Sequence, residues 1–203
     1  MKLTEAISYN FKGRPYQVPD CGREQIIDLC KHLDLKVGAE VGVWHGDFTK
    51  KFCEAGLKMF AIDPWTGYYG AGRTQQKQEK QDSDFEIAQK TLAPYDCEIV
   101  RRTSMEALKG FADESLDFVY LDGDHSFRYV AEDIVEWTKK VKKGGIVSGH
   151  DYFNTSPTAT NLISQVKAVV DAYANSFNID FYTFTRDVPV EKDDRTPSWL
   201  FIK

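Results

Sequence analysis

The stretch SLDFVYLDGDHSFRYVAEDIVEWTKKVKKGGIVSGHD (115–151) shows the fold of this chain most directly. Its ends, SLDFVYLD (115–122) and GIVSGHD (145–151), are short apolar runs typical of buried strands in a parallel sheet. Between them, apolar residues recur every three or four positions, which predicts an amphipathic helix. The helix should end in a cluster of lysines and stop at Gly144-Gly145. Its apolar stripe consists of Phe127, Val130, Ile134, Trp137 and Val141.

The same alternation of strands and helices continues on both sides of this unit. Helices are expected at 22–34, 47–55, 80–92, around 105–110 and at 160–174. The pattern predicts an α/β fold with a single doubly wound, mostly parallel sheet and an antiparallel C-terminal strand. In such folds ligands bind at the carboxyl ends of the strands, where the strand order reverses. The other expected strands are VGAEVGV (37–43), KMFAID (58–63), CEIVRRT (97–103), FYTFTR (181–186) and SWLFIK (198–203).

Composition excludes several classes of protein. The 203 residues include 26 Lys and Arg against 31 Asp and Glu, so a basic face for nucleic acid is not expected. No apolar run approaches the roughly 18 residues of a membrane helix, and the N-terminus lacks the apolar core of a secretory signal. The cysteines are widely spaced, which predicts reduced thiols in the cytoplasm rather than a zinc or disulfide site. They are Cys21, Cys30, Cys53 and Cys97.

The first expected strand leads into AEVGVWHGDF (39–48), with glycines at Gly42 and Gly46. Glycine allows a tight turn and a close approach of the backbone to a ligand. Neither the dinucleotide motif G-x-G-x-x-G nor the P-loop motif is present, so an NAD(P) oxidoreductase is disfavoured. Glu40 is an acid within an apolar strand, where burial is costly without a partner. A cationic or amine-bearing ligand would supply that partner.

The ends of the second and third expected strands each admit two interpretations. Asp63, in AIDPW, can accept hydrogen bonds from ribose hydroxyls or stabilise a turn before Pro64. Trp65 can cover an adenine ring or belong to the core. Ser104 is expected to cap the short helix that follows, with its neighbours near the adenine pocket.

The fourth and fifth expected strands end in YLDGDHSF and SGHDYF, and their polar residues are the most informative in the chain. Asp122 and His125 follow one strand, and His150 and Asp151 follow the next. Neighbouring parallel strands lie about 4.8 Å apart, so these groups are expected to converge. Two carboxylates with few other ligands suit Mg²⁺ or Mn²⁺. Asp124 is assigned a structural role at the start of the next helix.

The run from about 37 to 153, with the closing SWLFIK, resembles class I S-adenosylmethionine-dependent methyltransferases. It is most similar to the group related to the metal-dependent O-methyltransferases that act on small molecules such as catechols and macrolide sugars. The motifs that carry this resemblance are E-x-G-x-x-x-G from Glu40 to Gly46 and the pair DFVYLDGDHS and KKVKKGGIVSGHDY. The resemblance implies S-adenosylmethionine as cofactor and a Mg²⁺ or Mn²⁺ ion as a second candidate.

The resemblance also implies roles for individual residues. Asp122 matches the first metal-binding aspartate and Asp151 the second, and His125 falls where these enzymes place a general base. His150 departs from the Asp or Glu that is more usual there, and it is expected to ligate the ion, to lie beside it or to bind substrate. The expected cofactor contacts are Glu40, Gly42, Trp44, Gly46, Asp63, Trp65, Ser104 and Asp122.

The sequence therefore predicts methyl transfer to a hydroxyl of a small molecule, such as a sugar or another polyhydroxylated metabolite. Residues 1–203 are expected to form a single methyltransferase domain, with 1–20, 66–84 and 187–197 as specificity elements or a lid. A homodimer is compatible with the sequence, and neither nucleic acid nor membrane is expected as a partner. Two alternatives remain: a non-catalytic module that binds S-adenosylmethionine, and an iron oxygenase with a two-His-one-carboxylate site.

Overall fold

Eight strands form one sheet in the computed structural model of the chain, which describes residues 2–67, 77–155, 164–185 and 196–203. The strand order is β1-β7-β8-β6-β5-β2-β3-β4. Every strand runs parallel to the others except β8, which is antiparallel to both of its neighbours. The strands are β1 (Tyr16–Val18), β2 (Val37–Val41), β3 (Lys58–Ile62), β4 (Cys97–Val100), β5 (Leu116–Leu121), β6 (Val141–Gly149), β7 (Tyr182–Phe184) and β8 (Ser198–Ile202).

Helices cover both faces of this sheet and build a core on each. On one face α5, α6 and α7 pack against the strands, and on the other α1, α2 and α3 do so. A smaller cluster joins α4 to the end of β3. The helices are α1 (Leu3–Ser8), α2 (Gln25–His32), α3 (Asp47–Glu54), α4 (Gln78–Leu92), α5 (Ser104–Ala107), α6 (Phe127–Lys140) and α7 (Val166–Phe177). A short 3-10 helix, Leu108–Gly110, follows α5.

The predicted fold class is confirmed, and its topology locates the site. The five strands expected first along the chain are β2 to β6. From β2 the chain builds outward through β3 and β4, then crosses to β5 and β6 on the other side of β2. The strand order therefore reverses between β2 and β5, and their carboxyl ends flank the crevice where such sheets bind ligands.

The N-terminal segment is more regular than the sequence indicated. The apolar residues of α1 pack into the core, and β1 extends the sheet by pairing in parallel with β7. No periodicity predicted these elements, because α1 and β1 contain six and three residues. Elements this short take their stability from tertiary packing rather than from local pattern.

The boundary between α6 and β6 differs from the prediction. The helix ends at Lys140 and the strand begins at Val141, so the expected glycine stop is wrong. Gly144 instead lies inside β6 with a positive φ of 81°, where the register with β5 is irregular. Phe127 is also not part of the buried stripe: it is 53% exposed, since it stands in the first turn of α6, beyond the end of β5.

Other boundaries differ by a few residues. The expected helix at 160–174 is α7, which begins at Val166, so Leu162 and Ile163 lie outside the described residues. The predicted lid at 66–84 contains the beginning of α4 in its second half, and 68–76 lie outside the described residues. The same holds for 186–195, which include most of the charged loop between the last two strands. The antiparallel pairing of β7 with β8 is confirmed.

Candidate active site

The turn after β2 depends on its glycines for geometric reasons. Gly42 has a φ of 91°, and a Cβ atom there would lie 2.1 Å from the carbonyl oxygen of Asp122. Gly46 has a φ of 84° and directly precedes α3. Both residues use backbone conformations that other amino acids rarely adopt. Gly42 lets the backbone after β2 lie against the end of β5, which places both strand ends at one crevice, and Gly46 lies against Leu92 of α4.

Glu40 is buried at the end of β2 and has a protein partner. The Thr49 hydroxyl, in the first turn of α3, donates a hydrogen bond to the Glu40 carboxyl. Burial raises the pKa of Glu40 to about 8, although the Thr49 hydrogen bond acts in the opposite direction. The carboxyl therefore holds its proton at neutral pH unless a cation approaches it.

Asp63 holds the two neighbouring turns together. One carboxylate oxygen accepts hydrogen bonds from the backbone N–H groups of Val43 at 3.0 Å and Trp44 at 3.1 Å. The other oxygen accepts from the N–H of Trp65 at 2.9 Å, which closes a turn of the Asx type. The sequence left two roles open for Asp63, ribose binding and turn stabilisation, and the structure shows the second.

The two tryptophans near these turns differ in exposure. Trp65 is 1% exposed, packs against Phe85 and donates its indole N–H to the carbonyl of Trp44 at 2.9 Å. Trp44 is 55% exposed and stacks on His45 with a ring distance of 4.0 Å. Of the two expected cofactor contacts, Trp65 therefore belongs to the core and Trp44 presents its ring to solvent at the crevice.

The turn after β2 is linked to helix α4 beside this crevice. Asp84 binds His45 Nε2 and Lys80 Nζ, each at 2.8 Å. Burial acts to raise the pKa of Asp84, but the hydrogen bonds from Lys80 and His45 hold it below its ordinary value. The residue is an ionised anchor that joins α4 to the β2 turn.

At the ends of β5 and β6, three side chains converge as the sequence predicted. His125 Nε2 lies 3.4 Å from Asp122 Oδ1, and His125 Nδ1 lies 3.2 Å from Asp151 Oδ2. One ligand atom from each residue lies within 4.8 Å of the others. The side chains are 13%, 21% and 18% exposed for His125, Asp122 and Asp151, so a ligand can reach them. Asp151 has a φ of 52°, and such backbone strain is common at functional sites.

His150 lies at the edge of this group. Its Nδ1 is 3.5 Å from Asp151 Oδ1 and 4.0 Å from Asp122 Oδ2. The Thr196 hydroxyl lies 3.2 Å from His150 Nε2. Within the described residues, the converging metal-ligand group contains His125 and two carboxylates rather than two histidines and one carboxylate, which disfavours the oxygenase alternative.

Asp124 has the structural role that was assigned to it. One of its carboxylate oxygens accepts hydrogen bonds from the backbone N–H of Ser126 at 2.8 Å and from the Ser126 hydroxyl at 2.5 Å. These bonds shape the turn that leads from β5 into α6. They keep Asp124 out of the group formed by His125 and its two partners.

Ser104 is not the helix cap that the sequence predicted. Thr103 is the N-cap of α5, and its N–H and hydroxyl bind the Glu106 carboxylate. Ser104 is buried instead, where it donates to Asp133 and accepts the Trp137 indole N–H at 2.7 Å. Burial raises the pKa of Asp133 to about 7, against the effect of the Ser104 hydrogen bond. Thr103 and Ser104 are adjacent, so only the backbone geometry decides which of them caps the helix.

Three side chains around the crevice were missed by the sequence analysis. Thr49 and Thr196 each bind a predicted site residue, and Arg23 Nη1 lies 4.0 Å from Asp122 Oδ2. None of them belongs to a motif that could have been found in a single sequence. Arg23 precedes α2 by two residues and Thr196 precedes β8 by two, so both reach the site through the tertiary fold.

Comparisons with known proteins agree with this geometry. The methyltransferase domain family matches residues 39–152, more than half of the chain. An uncharacterized protein from Sinorhizobium fredii is 28% identical over 123 residues, which cover 55% of this chain and 12% of that protein. The chain thus spans about an eighth of the curated relative that it matches.

Solved structures share the fold at low sequence identity. An O-methyltransferase from Bacillus cereus in complex with SAH has a TM-score of 0.66 at 12% identity, over 89% of this chain and 80% of that one. The N-methyltransferase NodS from Bradyrhizobium japonicum has a TM-score of 0.57 at 11% identity, over 89% of this chain and 94% of that one.

Among the described residues, no helix is both long enough and apolar enough to cross a bilayer. The chain belongs to the methyltransferase domain family, in the S-adenosylmethionine-dependent class that its strand-end motifs resemble.

Proposed function

We propose that this protein transfers the methyl group of S-adenosylmethionine to a hydroxyl oxygen of a small polyhydroxylated molecule, such as a sugar. The observation that carries the proposal is the position of His125 between the carboxylates of Asp122 and Asp151. The methyl donor does not itself require a base. The neutral hydroxyl of the acceptor, however, is a weak nucleophile until its proton is removed. In this proposal His125, which lies beside the crevice where the strand order reverses, is that base.

The geometry supports different roles for the two ring nitrogens of His125. The Asp151 carboxylate is the nearer partner, at 3.2 Å from Nδ1, and would hold a proton and the ring orientation there. The Asp122 contact at Nε2 is longer, at 3.4 Å, and would yield to an entering hydroxyl. Nε2 would then accept the hydroxyl proton as the oxygen attacks the methyl carbon.

A divalent metal fits the same strand ends. Asp122 and Asp151 offer carboxylate oxygens from neighbouring strands, and hard oxygen ligands suit Mg²⁺ or Mn²⁺. Such an ion would lower the pKa of the acceptor hydroxyl and hold it in place. His150 would orient Asp151 from beside the ion, supported by the Thr196 hydroxyl.

The cofactor would lie along the crevice between β2 and β5. In this proposal Glu40 and Asp122 hold its amino end, while Gly42 and Gly46 shape the turn. Asp63 would position the ribose from the turn that it organises, and Trp44 would cover the exposed side. Trp65 would act from the core by supporting the turn after β2, and Ser104 by binding Asp133 and Trp137 of α6.

The remaining assignments concern the whole chain. We propose that residues 1–203 act as one methyltransferase domain that needs no nucleic acid or membrane partner. Residues 66–84 would contribute to acceptor binding, since α4 is anchored to the β2 turn through Asp84. Of residues 1–20, α1 and β1 are integral to the fold, so their contribution to specificity would be limited to the connecting turns.

The proposal is tested by calorimetric titration with S-adenosylhomocysteine, followed by a screen of hydroxylated metabolites with and without Mg²⁺. We expect binding, and release of S-adenosylhomocysteine in the presence of an acceptor. The matched variants are His125→Ala and His32→Ala, because His32 is an exposed histidine on α2. Failure of the wild-type protein to bind S-adenosylhomocysteine would overturn the assignment. Equal turnover of both variants would remove His125 as the base.

A further inference from the structure

Arg23 is a cation held at the cofactor crevice by a segment outside the matched methyltransferase region. It lies two residues before α2, and its Nη1 atom is 4.0 Å from Asp122 Oδ2. Its guanidinium carbon lies 4.8 Å from the centre of the Phe48 ring in the first turn of α3. The side chain is 18% exposed. An arginine stacked in this way keeps a defined orientation while its charge remains accessible.

The neighbours of Arg23 are the acids expected at the amino end of the cofactor. Burial raises the pKa of Glu40, the Asp122 charge adds to this, and the Arg23 charge opposes it. Arg23 is therefore electrostatically coupled to the carboxyls at the ends of both β2 and β5.

The proposed cofactor would need both a negative and a positive protein group at its amino-acid end. The amino-acid end of S-adenosylmethionine carries an ammonium group and a carboxylate group. Glu40 and Asp122 suit the ammonium group, but their negative charge would repel the carboxylate. A guanidinium fork matches a carboxylate with two parallel hydrogen bonds. Arg23 lies on the α2 side of Asp122 and provides that match.

We propose that Arg23 is the binding residue for the carboxylate of the methionine moiety, and that its contact with Asp122 positions it before the cofactor arrives. The inference rests on the proposed function, since it assigns one subsite of the same cofactor. It also explains why the segment before α2, which lies outside residues 39–152, reaches the crevice. The alternative role for Arg23 is a purely structural one, as a counter-ion for Asp122.

The experiment compares two ligands that differ only in this carboxylate. S-adenosylhomocysteine and its decarboxylated analogue are titrated calorimetrically into wild-type protein, Arg23→Met, Arg23→Lys and the control Arg128→Met. Arg128 pairs with Glu132 at the surface of α6 and is 76% exposed. Methionine keeps the apolar stem over Phe48, and circular dichroism with thermal melting reports whether each variant is folded.

We expect wild-type protein and Arg128→Met to prefer S-adenosylhomocysteine over the analogue by about 10- to 100-fold, the range for a charged hydrogen bond. In Arg23→Met this preference should fall to about twofold or less, with Arg23→Lys intermediate. An unchanged preference in Arg23→Met, or an equal loss of affinity for both ligands, would overturn the inference and leave the proposed function standing. If wild-type protein binds neither ligand, the proposed function fails and the inference fails with it.

Discussion

The polar groups at the ends of β2 and β3 differ from those at the ends of β5 and β6 in what they bind. Asp63 accepts three backbone N–H groups and Glu40 accepts the Thr49 hydroxyl. At β5 and β6, by contrast, Asp122 and Asp151 contact the side chain of His125, and all three side chains are partly exposed. Acids that bind the protein's own backbone maintain the shape of the crevice. Acids that face other titratable side chains are available for chemistry.

This contrast predicts that the two regions fail in different ways when they are altered. Substitutions of the two acids at the ends of β2 and β3 should change stability first, and cofactor binding as a consequence. Substitutions at β5 and β6 should reduce turnover and leave the free energy of unfolding nearly unchanged.

The largest expected effect is on turnover at the β5 end. His125→Ala removes the proposed base, so kcat should fall by about 100- to 10,000-fold, the usual contribution of a general base. The melting temperature and the affinity for S-adenosylhomocysteine should stay close to the wild-type values. Both are measured together with turnover, and a cooperative loss of folding would contradict the proposed separation between the two regions.

The next effect concerns stability at the β2 end. Because burial raises the pKa of Glu40 from 4.5 to about 8, its proton stabilises the folded state below pH 4.5 and that contribution is lost as pH rises toward 8. Glu40→Gln retains a neutral acceptor for Thr49, so the variant should lack this part of the pH dependence. It should become more stable than wild type above pH 8, by on the order of a few kcal/mol at about 1.4 kcal/mol per pKa unit.

Urea denaturation of both proteins at pH 5, 6.5 and 8.5 measures this difference. A constant gap across the three pH values would show that Glu40 ionises in the folded protein as it does in the unfolded chain.

A smaller effect on the free energy of unfolding should distinguish Asp63 from Asp122. In Asp63→Asn the amide NH₂ cannot accept the N–H groups that the carboxylate binds, so unfolding should become easier by about 1–3 kcal/mol. Asp122→Asn should change stability by less than about 1 kcal/mol but should abolish Mn²⁺ binding. Thermal melts and manganese titration of the two variants test the comparison directly, and equal destabilisation of both would break it.

The smallest effect on stability is expected at Trp44. Its ring is 55% exposed, so Trp44→Ala should change the free energy of unfolding by only about 0.5 kcal/mol. The affinity for S-adenosylhomocysteine should nevertheless fall severalfold, because the ring is proposed to cover the cofactor. The control is Tyr9→Ala, which alters another exposed aromatic residue at the end of α1 and should leave that affinity unchanged.

The sequence predicted the strands from β2 to β6 and the convergence of His125 with Asp122 and Asp151. These predictions succeed because strand–helix alternation and parallel pairing place successive strand ends at one edge of a sheet. It failed at the boundary of α6 and β6 and at the Ser104 cap. At the cap, Thr103 and Ser104 are adjacent and only the backbone geometry distinguishes them. At the other boundary the helix ends at Lys140, before the glycines, because the strand that contains them begins at Val141.

The sequence by itself determined the class of fold, the edge of the sheet that carries the site and the residue types gathered there. Tertiary structure alone decided which acids bind backbone or hydroxyl groups of the protein and which remain accessible to a ligand. It also brought in Thr49, on the helix that follows Glu40, and Thr196 and Arg23, which lie far along the chain from the residues that they contact. The physical reason is that periodicity reports which residues are buried, whereas hydrogen-bond partners depend on distances that only the packed chain sets.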